Sequence, residues 1–197
     1  MNTEWQQRYE TNDTPWEKGA PHPGLVEFLK KSPVRGRVLV PGCGTGHDVR
    51  ALAATADEVV GVDIAPGAIA AAKQHPEVGG ERFLVADLFA LPAGMRGAFD
   101  WVFEHTCFCA IDPAQRGNYV RAVASALVPG GHLLAIFFLN PDMDPGEQGP
   151  PFGVTPGELA ELFGEGFELL GEWEPAGTYK GREGRERFRL LRKREEG

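Results

Sequence analysis

The chain has 197 residues, of which 42% are hydrophobic and 24% are charged, and its formal net charge is −8. These values are ordinary for one soluble globular domain with a sizeable core, and the acidic balance disfavours nucleic acid as a main partner, because nucleic-acid binders usually carry a basic surplus. No apolar run approaches the roughly 18 residues of a membrane span and the polar N-terminus shows no signal, so we expect a cytoplasmic protein. We also expect it to be a monomer that acts on a small molecule.

Strands and helices alternate in the predicted order of elements. We predict strands over 37–40, 58–62, 82–86, 98–103, 132–139, 167–173 and 187–191. We predict helices over 23–30, 48–56, 66–73, 113–127 and 155–163. This alternation with near-continuous apolar strands predicts the α/β class, as a doubly wound, Rossmann-like sheet of about seven strands with helices on both faces. We expect the strands to be mostly parallel, with an antiparallel strand at the C-terminus.

Two segments outside this alternation have predictions of their own, within a chain expected to form one domain over 1–197. Residues 180–194 are locally basic, but Arg and Lys alternate there with Glu and apolar residues, so we interpret them as a solvated edge strand. The loop 141–151 is long enough to act as a lid near a ligand. The three cysteines argue against a disulfide framework, and we interpret Cys107 and Cys109 as buried free thiols, with no metal site.

A glycine-rich turn, 38–48, lies between the first predicted strand and the next helix. Gly42, Gly44 and Gly46 provide the positive φ angles and the close backbone approach that a ligand-binding turn needs, and the following helix N-terminus offers free N–H groups. No Lys-Ser/Thr pair follows, as a phosphate loop would require, and the glycine spacing is one residue short of the dinucleotide pattern. Asp48 would repel a pyrophosphate and suits a cationic ammonium, such as that of S-adenosylmethionine (SAM).

Acidic residues end the next two predicted strands. Asp63 is placed to accept hydrogen bonds from both hydroxyls of a ribose, as in dinucleotide sites. Asp87 could accept from an adenine amino group, with Leu88 against the ring. Either aspartate alone could be a turn or cap residue, but the glycine turn and the two acids, each on its own strand–helix junction, together favour a SAM site.

Aromatic residues are dense in the polar N-terminal segment, 1–22. Trp5 and Tyr9 share one face of a helix, and Trp16 follows a Thr-Pro break. One interpretation is that they cap the core. The other is that they form a flap over a flat ring such as adenine.

Several longer stretches show a resemblance to a known family. The chain is similar to class I SAM-dependent methyltransferases, and within them to the halide/thiol methyltransferase branch of the thiopurine methyltransferase superfamily. The matching stretches are Asp13-Thr-Pro-Trp-Glu-Lys-Gly19, Leu39-Val-Pro-Gly-Cys-Gly-Thr-Gly-His-Asp-Val49, Val60-Gly-Val-Asp-Ile64, Phe108-Cys-Ala-Ile111, Gly149-Pro-Pro-Phe152 and Gly184-Arg-Glu-Arg-Phe188. The resemblance implies cofactor contacts from Trp5, Tyr9, Trp16, Gly42, Gly44, Asp63, Asp87, Leu88 and His105.

The chain departs from the family pattern at two positions. Tyr9 stands where the family usually has tryptophan, which keeps an aromatic ring, and His105 stands where it usually has tyrosine. His105, after the fourth strand, is either a general base or a polar residue lining the pocket. Arg116 and Tyr119, on the next helix, either steer an anionic acceptor or lie at the surface.

The sequence therefore predicts a SAM-dependent methyltransferase that acts on a small soft nucleophile, a thiol, hydrosulfide or halide. The alternatives are a SAM- or nucleotide-binding protein without turnover, and a methyltransferase for another small molecule such as a thiopurine. The glycine spacing disfavours a nicotinamide oxidoreductase. A DNA amino-methyltransferase is disfavoured because the Pro-Pro-Phe stretch, 150–152, follows the fifth predicted strand rather than the fourth.

Overall fold

The computed structural model describes residues 2–141 and 149–195, with side chains from residue 4 onwards. Seven strands form one sheet in the order β3-β2-β1-β4-β5-β7-β6. The strands are β1 (Arg37–Pro41), β2 (Glu58–Asp63), β3 (Glu81–Val85), β4 (Phe99–His105), β5 (Leu127–Phe138), β6 (Phe167–Trp173) and β7 (Glu186–Lys193). The helices are α1 (Asn2–Glu10), α2 (Pro23–Lys31), α3 (His47–Ala53), α4 (Pro66–Ala72), α5 (Arg116–Ala126) and α6 (Pro156–Gly164). The predicted α/β class is confirmed.

Strands β1 to β5 pair in parallel, and β7 runs antiparallel to both β5 and β6. The order reverses between β1 and β4, where the connections leave in opposite directions along the sheet. Doubly wound sheets bind ligands outside the carboxyl ends of their strands at such a switch point. The glycine turn after β1 and His105 at the end of β4 therefore lie at the expected ligand edge.

The apolar strand β1 is buried on both of its faces. Val38 and Val40 pack into one core cluster with residues of α2 and α3, including Leu25 and Leu52. Leu39, which points to the opposite face, packs into a second cluster that contains Tyr119 of α5. Burial of each such side chain contributes roughly 1.5–3 kcal/mol, which holds the strand end and the turn that follows it in place.

The prediction of an edge strand at the C-terminus is wrong. β7 lies inside the sheet between β5 and β6, and Phe188 and Leu191 are buried. Its charged side chains pair with β6: Arg189 Nε lies 2.5 Å from Glu172 Oε2, and Arg192 Nη2 lies 2.6 Å from Glu168 Oε2. The alternation of charged and apolar residues therefore reflects ion pairs across neighbouring strands, and β6 is the edge strand at this end of the sheet.

Local contacts attach two helices whose positions matter for the site. Helix α1 is held against α4, because the Gly67 N–H donates to Gln6 Oε1 over 2.7 Å. Thr155 is the N-cap of α6, and its hydroxyl accepts from the Glu158 N–H at 3.1 Å. Within the described ranges, no helix is both long and apolar enough to cross a membrane.

Candidate active site

The turn after β1 has the backbone conformation that its glycines predict. The φ angles of Gly42, Gly44 and Gly46 are +58°, +53° and +78°. A Cβ atom added to Gly42 would lie 2.8 Å from Cys107 Cβ, so that position needs glycine for space as well as for its φ angle. The Cys43 N–H donates to the Val62 carbonyl over 3.0 Å, which ties the turn to the end of β2.

A cavity of about 370 Å³ opens between this turn, the ends of β2 and β4, and helix α1. Its volume lies within the range of roughly 300–1,000 Å³ common for small-molecule sites. The cavity lining includes every cofactor contact implied by the sequence, namely Trp5, Tyr9, Trp16, Gly42, Gly44, Asp63, Asp87, Leu88 and His105. The structure therefore brings these residues together around one space.

Three aromatic rings form one wall of the cavity. The ring centroids of Trp5 and Trp16 are 5.4 Å apart and those of Tyr9 and Trp16 are 6.0 Å apart, both in edge-to-face geometry. Trp16 Nε1 donates to Tyr9 Oη over 3.3 Å, and burial raises the pKa of the Tyr9 phenol. Because the rings line the cavity, the structure favours the flap over the alternative in which they only cap the core.

A glutamate joins this wall to the glycine turn. The Thr45 hydroxyl donates to Glu17, and His47 Nε2 lies 3.1 Å from Glu17 Oε1. Burial opposes ionisation of Glu17, but the hydrogen bonds from Thr45 and the Gly19 N–H and the nearby His47 outweigh it and lower its pKa. The N-terminal segment is thus held to the turn that it covers.

The two strand-end acids both cap the backbone and line the cavity. Asp63 Oδ2 accepts from the Gly44 N–H at 3.0 Å, and its Oδ1 accepts from the Ala65 N–H at 2.9 Å. Burial raises the pKa of Asp63 in spite of these donors. Asp87 Oδ1 accepts from the Phe89 N–H at 2.8 Å. Each carboxylate oxygen can accept a further hydrogen bond, so the contacts predicted for ribose and adenine remain open to both residues.

His105 is hydrogen-bonded to Asp48, the acid that the sequence analysis assigned to a ligand ammonium. Its Nδ1 lies 2.7 Å from Asp48 Oδ2, while Asp48 Oδ1 accepts from the His22 N–H at 2.7 Å. Burial would raise the pKa of Asp48, but the electrostatic interaction and hydrogen bond with the His105 ring and the hydrogen bond from the His22 amide outweigh it and lower that pKa. Asp48 lines the cavity and each of its oxygens can accept a further hydrogen bond, so its contact with a ligand ammonium stays a prediction.

A second histidine lies behind His105. His22 is fully buried, and its ring meets that of His105 edge-on with centroids 4.8 Å apart. The Gly24 N–H donates to His22 Nδ1 over 3.0 Å, so the proton of the neutral ring is on Nε2, which lies 2.9 Å from Glu186 Oε2. Burial opposes the ionisation of Glu186, but the His22 contact and the Thr178 hydroxyl outweigh it and lower its pKa to about 2.

His22, His105 and Glu186 form a compact cluster, with one ligating atom from each lying within 4.8 Å of the others. A metal ion would need the Nε2 lone pair of His22. That nitrogen carries the proton in the tautomer that the Gly24 N–H selects. The cluster is therefore a hydrogen-bond network.

Two further lining residues, Tyr179 and Arg182, come from the segment between β6 and β7. Tyr179 stacks on His105 with ring centroids 6.0 Å apart, and its hydroxyl donates to the Ala20 carbonyl over 2.7 Å. Arg182 lies over the Phe138 ring and bonds Glu186 Oε1 at 3.0 Å. Sequence reasoning missed His22, Tyr179 and Arg182, since no local pattern marks them and His22 reaches Glu186 from the opposite end of the chain.

The structure does not bring Arg116 or Tyr119 to the cavity. Arg116 is 3% exposed, and its guanidinium donates to Glu158 Oε1 at 2.5 Å and to the Gly153 carbonyl at 2.8 Å. Tyr119 is fully buried, and its hydroxyl donates to Glu104 Oε2 at 2.5 Å. Neither residue lies at the surface or at the cavity. The two predicted roles, steering an anionic acceptor and lying at the surface, are therefore replaced by buried contacts within the protein.

The proline-rich stretch and the two neighbouring cysteines also contact the cavity. Pro150 and Pro151 line it, and the Phe152 N–H donates to the Cys109 carbonyl over 2.7 Å. The central part of the predicted lid, 142–148, is outside the described residues. Cys109 is a buried free thiol, as predicted, whereas Cys107 is partly exposed to the cavity.

The switch-point cavity, the glycine turn and the strand-end acids define a SAM-dependent methyltransferase. The family model for thiopurine S-methyltransferase matches residues 1–177, and the chain belongs to that family.

Comparisons with individual proteins agree with this assignment. The chain is 30% identical to a probable thiol methyltransferase 2 from Arabidopsis thaliana, over 89% of this chain and 86% of that protein. It is 32% identical to a thiocyanate methyltransferase 1 from the same plant, over 93% of this chain and 82% of that protein. Its fold is similar to that of a Burkholderia thailandensis 1,6-didemethyltoxoflavin-N1-methyltransferase solved with S-adenosylhomocysteine, with a TM-score of 0.72, 20% identity, and coverage of 98% and 87% of the two chains.

Proposed function

We propose that the protein transfers the methyl group of SAM to a small soft nucleophile, a thiol, hydrosulfide or halide, and that thiols are its preferred acceptors. The observation that carries this proposal is the single cavity lined by the glycine turn, Asp63, the aromatic wall and His105. The names of the two plant relatives, a thiol and a thiocyanate methyltransferase, support the acceptor class.

The described residues fit SAM. A Cβ atom on Gly44 would project to 3.3 Å from Tyr9 Oη, across the space between the turn and the aromatic wall, so a side chain there would obstruct a bound molecule. We propose that the turn holds the methionine end, that Asp63 holds the ribose hydroxyls, and that Asp87 and Leu88 hold the adenine. When bound, SAM supplies an activated methyl group on a sulfonium, which is a good leaving group.

The chain's own contribution is then mainly alignment. Holding two reactants in line can remove roughly 7–11 kcal/mol of the barrier. A thiol with a pKa of about 8.5 is roughly a tenth ionised near about pH 7.5, which is a handicap of only about 1.4 kcal/mol. Positioning therefore outweighs base catalysis for such acceptors. We propose that His105 contacts the acceptor and that Arg116 supports the site by holding the 152–153 segment on α5.

Binding and turnover measurements test this function. Isothermal titration should show binding of SAM and none of NAD. Methylation of hydrosulfide, iodide and a thiopurine should then be followed by chromatography of the methylated products. Binding without methylation of any acceptor would support the alternative of a SAM-binding protein without turnover, and preferential methylation of the thiopurine would support the other alternative.

Three further properties remain proposals. We propose that residues 1–22 act as a flap over the cofactor, that the protein is monomeric, and that it does not bind nucleic acid, in keeping with its net charge of −8. Light scattering coupled to size-exclusion chromatography checks the mass of the particle, and a second peak at twice the chain mass would contradict the monomer. Fractionation of the source cells checks the predicted cytoplasmic location.

A further inference from the structure

His105 has one ring nitrogen that the protein leaves free. Its Nδ1 bonds the Asp48 carboxylate, which can only accept, so Nδ1 carries the proton and Nε2 has a lone pair. Among the described residues, Nε2 is buried and has no hydrogen-bond partner, although the side chain is 9% exposed and lines the cavity. A carboxylate that fixes the tautomer of a histidine whose other nitrogen is free is the arrangement of a general base.

Several charged and titratable groups surround His105. Asp48 is ionised beside it, and the Arg182 cation is already paired with Glu186 at 3.0 Å. The remaining titratable groups that face it are His22, Tyr179 and Glu104. His22 is held as a neutral donor, burial raises the pKa of the Tyr179 phenol, and burial raises the pKa of Glu104 to about 7. Among these groups, Asp48 is the one whose carboxylate bonds the His105 ring.

An acceptor that enters as an anion without a proton has nothing for this base to remove. Asp48, Asp63 and Glu17 line the cavity, but so do the cations of Arg8, Lys18 and Arg182, so the charges of the lining do not by themselves exclude an anion. A neutral acceptor with a dissociable proton, in contrast, has a base to receive that proton.

We propose that Asp48 positions His105 as the base that deprotonates a neutral thiol, and that the enzyme thereby selects protic thiols over acceptors that carry no proton, such as thiocyanate and iodide. This inference rests on the proposed methyl transfer. As the sulfur lone pair of the acceptor forms the new bond to the methyl carbon, the S–H bond breaks and its proton passes to His105 Nε2. The electron pair of the broken carbon–sulfonium bond stays on the leaving thioether sulfur. His105 returns its proton to solvent when the product leaves.

The first experiment determines which ring nitrogen of His105 carries the proton, in protein without cofactor or acceptor. In ¹⁵N-histidine-labelled protein, the shifts of His105 should show a protonated Nδ1 and a free Nε2. Asp48→Asn can donate its amide to Nδ1 and should move the proton to Nε2. Since His132 does not line the cavity, the His132→Gln protein is the control and should leave the His105 signals unchanged. A proton on Nε2 in the unmodified protein would overturn the proposal.

The second experiment compares acceptors in the His105→Gln and Asp48→Asn variants. For a thiol at about pH 7.5, kcat/KM should fall by up to about tenfold, because only about a tenth of the thiol is ionised when no base assists it. For thiocyanate and iodide it should change by less than about threefold, because neither has a proton to give. In His105→Gln the thiol pH profile should rise with the ionisation of the thiol itself, near about 8.5. Equal losses for all three acceptors would overturn the proposal and assign His105 to lining alone.

Failure of the proposed methyl transfer and failure of the proposed base give different results. If the protein is not a methyltransferase of this type, the unmodified chain methylates none of the acceptors. If only the base is wrong, the unmodified chain methylates them and the variants lose all acceptors equally. Circular-dichroism spectra of both variants, which should match that of the unmodified protein, show that their folds are intact.

Discussion

Glu104 is buried, whereas its neighbour in the chain, His105, lines the cavity. Glu104 is 1% exposed, and it accepts from the Tyr119 hydroxyl at 2.5 Å and from the Phe108 N–H at 2.8 Å. Burial raises its pKa from the ordinary 4.5 to about 7, despite these donors. The folded protein therefore binds more protons than the unfolded chain between these values, so this residue's contribution to stability falls as the pH rises through that window.

We predict that Glu104→Gln removes this pH dependence. The amide keeps the size and an acceptor oxygen, so the free energy of unfolding should rise relative to the unmodified protein above pH 7, by roughly 3 kcal/mol at most. Urea denaturation at several pH values between 4.5 and 8 measures it, with Glu165→Gln, at an exposed position, as the control. Burial lowers the pKa of His22, so the contribution of His22 to stability falls as the pH drops below 6.5. His22 is present in both proteins, so the quantity to plot is the difference between their free energies of unfolding. A constant difference across the range would contradict the prediction.

Asp63 allows a direct test of how the cofactor is held. Removing its carboxylate in Asp63→Ala should weaken SAM binding by roughly 1.5–3 kcal/mol, since hydrogen bonds between a charged group and the ribose hydroxyls are lost. Isothermal titration measures the change. Asp57→Ala is a matched control, because Asp57 also accepts from a backbone N–H, that of Gly36 at 3.2 Å, but does not line the cavity. An unchanged affinity in Asp63→Ala would mean that the ribose is held elsewhere.

At this scale the sequence predicted the residues near local signals and missed those brought together by the fold. Asp63 and Asp87 follow apolar strands, so their position at the ligand edge could be predicted. The partners of Asp48 could not, because His105 comes from β4 and His22 precedes α2. The same limit applies to Arg116, whose buried contacts with Glu158 and the Gly153 carbonyl depend on how α5 packs beside α6.

At the scale of elements, the turn between β1 and α3 is the most constrained connection. We predict that Gly42→Ala both destabilises the protein and weakens SAM binding by more than tenfold. An alanine at φ +58° costs roughly 1–2 kcal/mol, and its Cβ would also press on Cys107. Thermal unfolding and isothermal titration measure the two effects.

The control for this variant is Gly164→Ala at the end of α6. There, an added Cβ would meet no atom within 4 Å and the φ angle is not positive, so stability and binding should be nearly unchanged. If Gly42→Ala bound SAM as well as the unmodified protein does, the turn would not be the cradle for the methionine end.

Strand positions show why elements are easier to predict than their order. The strands β1 and β2 are almost fully buried, so their apolar runs identify them directly. β7 alternates charged and apolar residues, as an exposed edge does, yet its arginines pair with Glu172 and Glu168 of β6. Whether a charge faces solvent or a partner strand depends on strand order, which no local pattern records.

For the whole molecule, the cavity links the two ends of the chain. Trp5 and Trp16 line it together with Tyr179 and Arg182, and the Tyr179 hydroxyl bonds the Ala20 carbonyl directly. A molecule that fills the cavity should therefore stabilise segments that are distant in sequence. A ligand at about 100 times its Kd adds roughly 2.7 kcal/mol to the free energy of unfolding.

We predict that S-adenosylhomocysteine slows amide hydrogen exchange in α1, in the glycine turn and in residues 174–185, by up to about 100-fold where opening requires the ligand to leave. The edge strand β6, whose Leu169 and Leu170 are exposed away from the cavity, should show a smaller change. Mass spectrometry of peptides after timed exchange measures all four segments in one experiment. The Asp63→Ala protein at the same ligand concentration is the control, and its protection should be weaker in every segment. Protection limited to the glycine turn would contradict the flap, because the opening of α1 would then be independent of whether a ligand is bound.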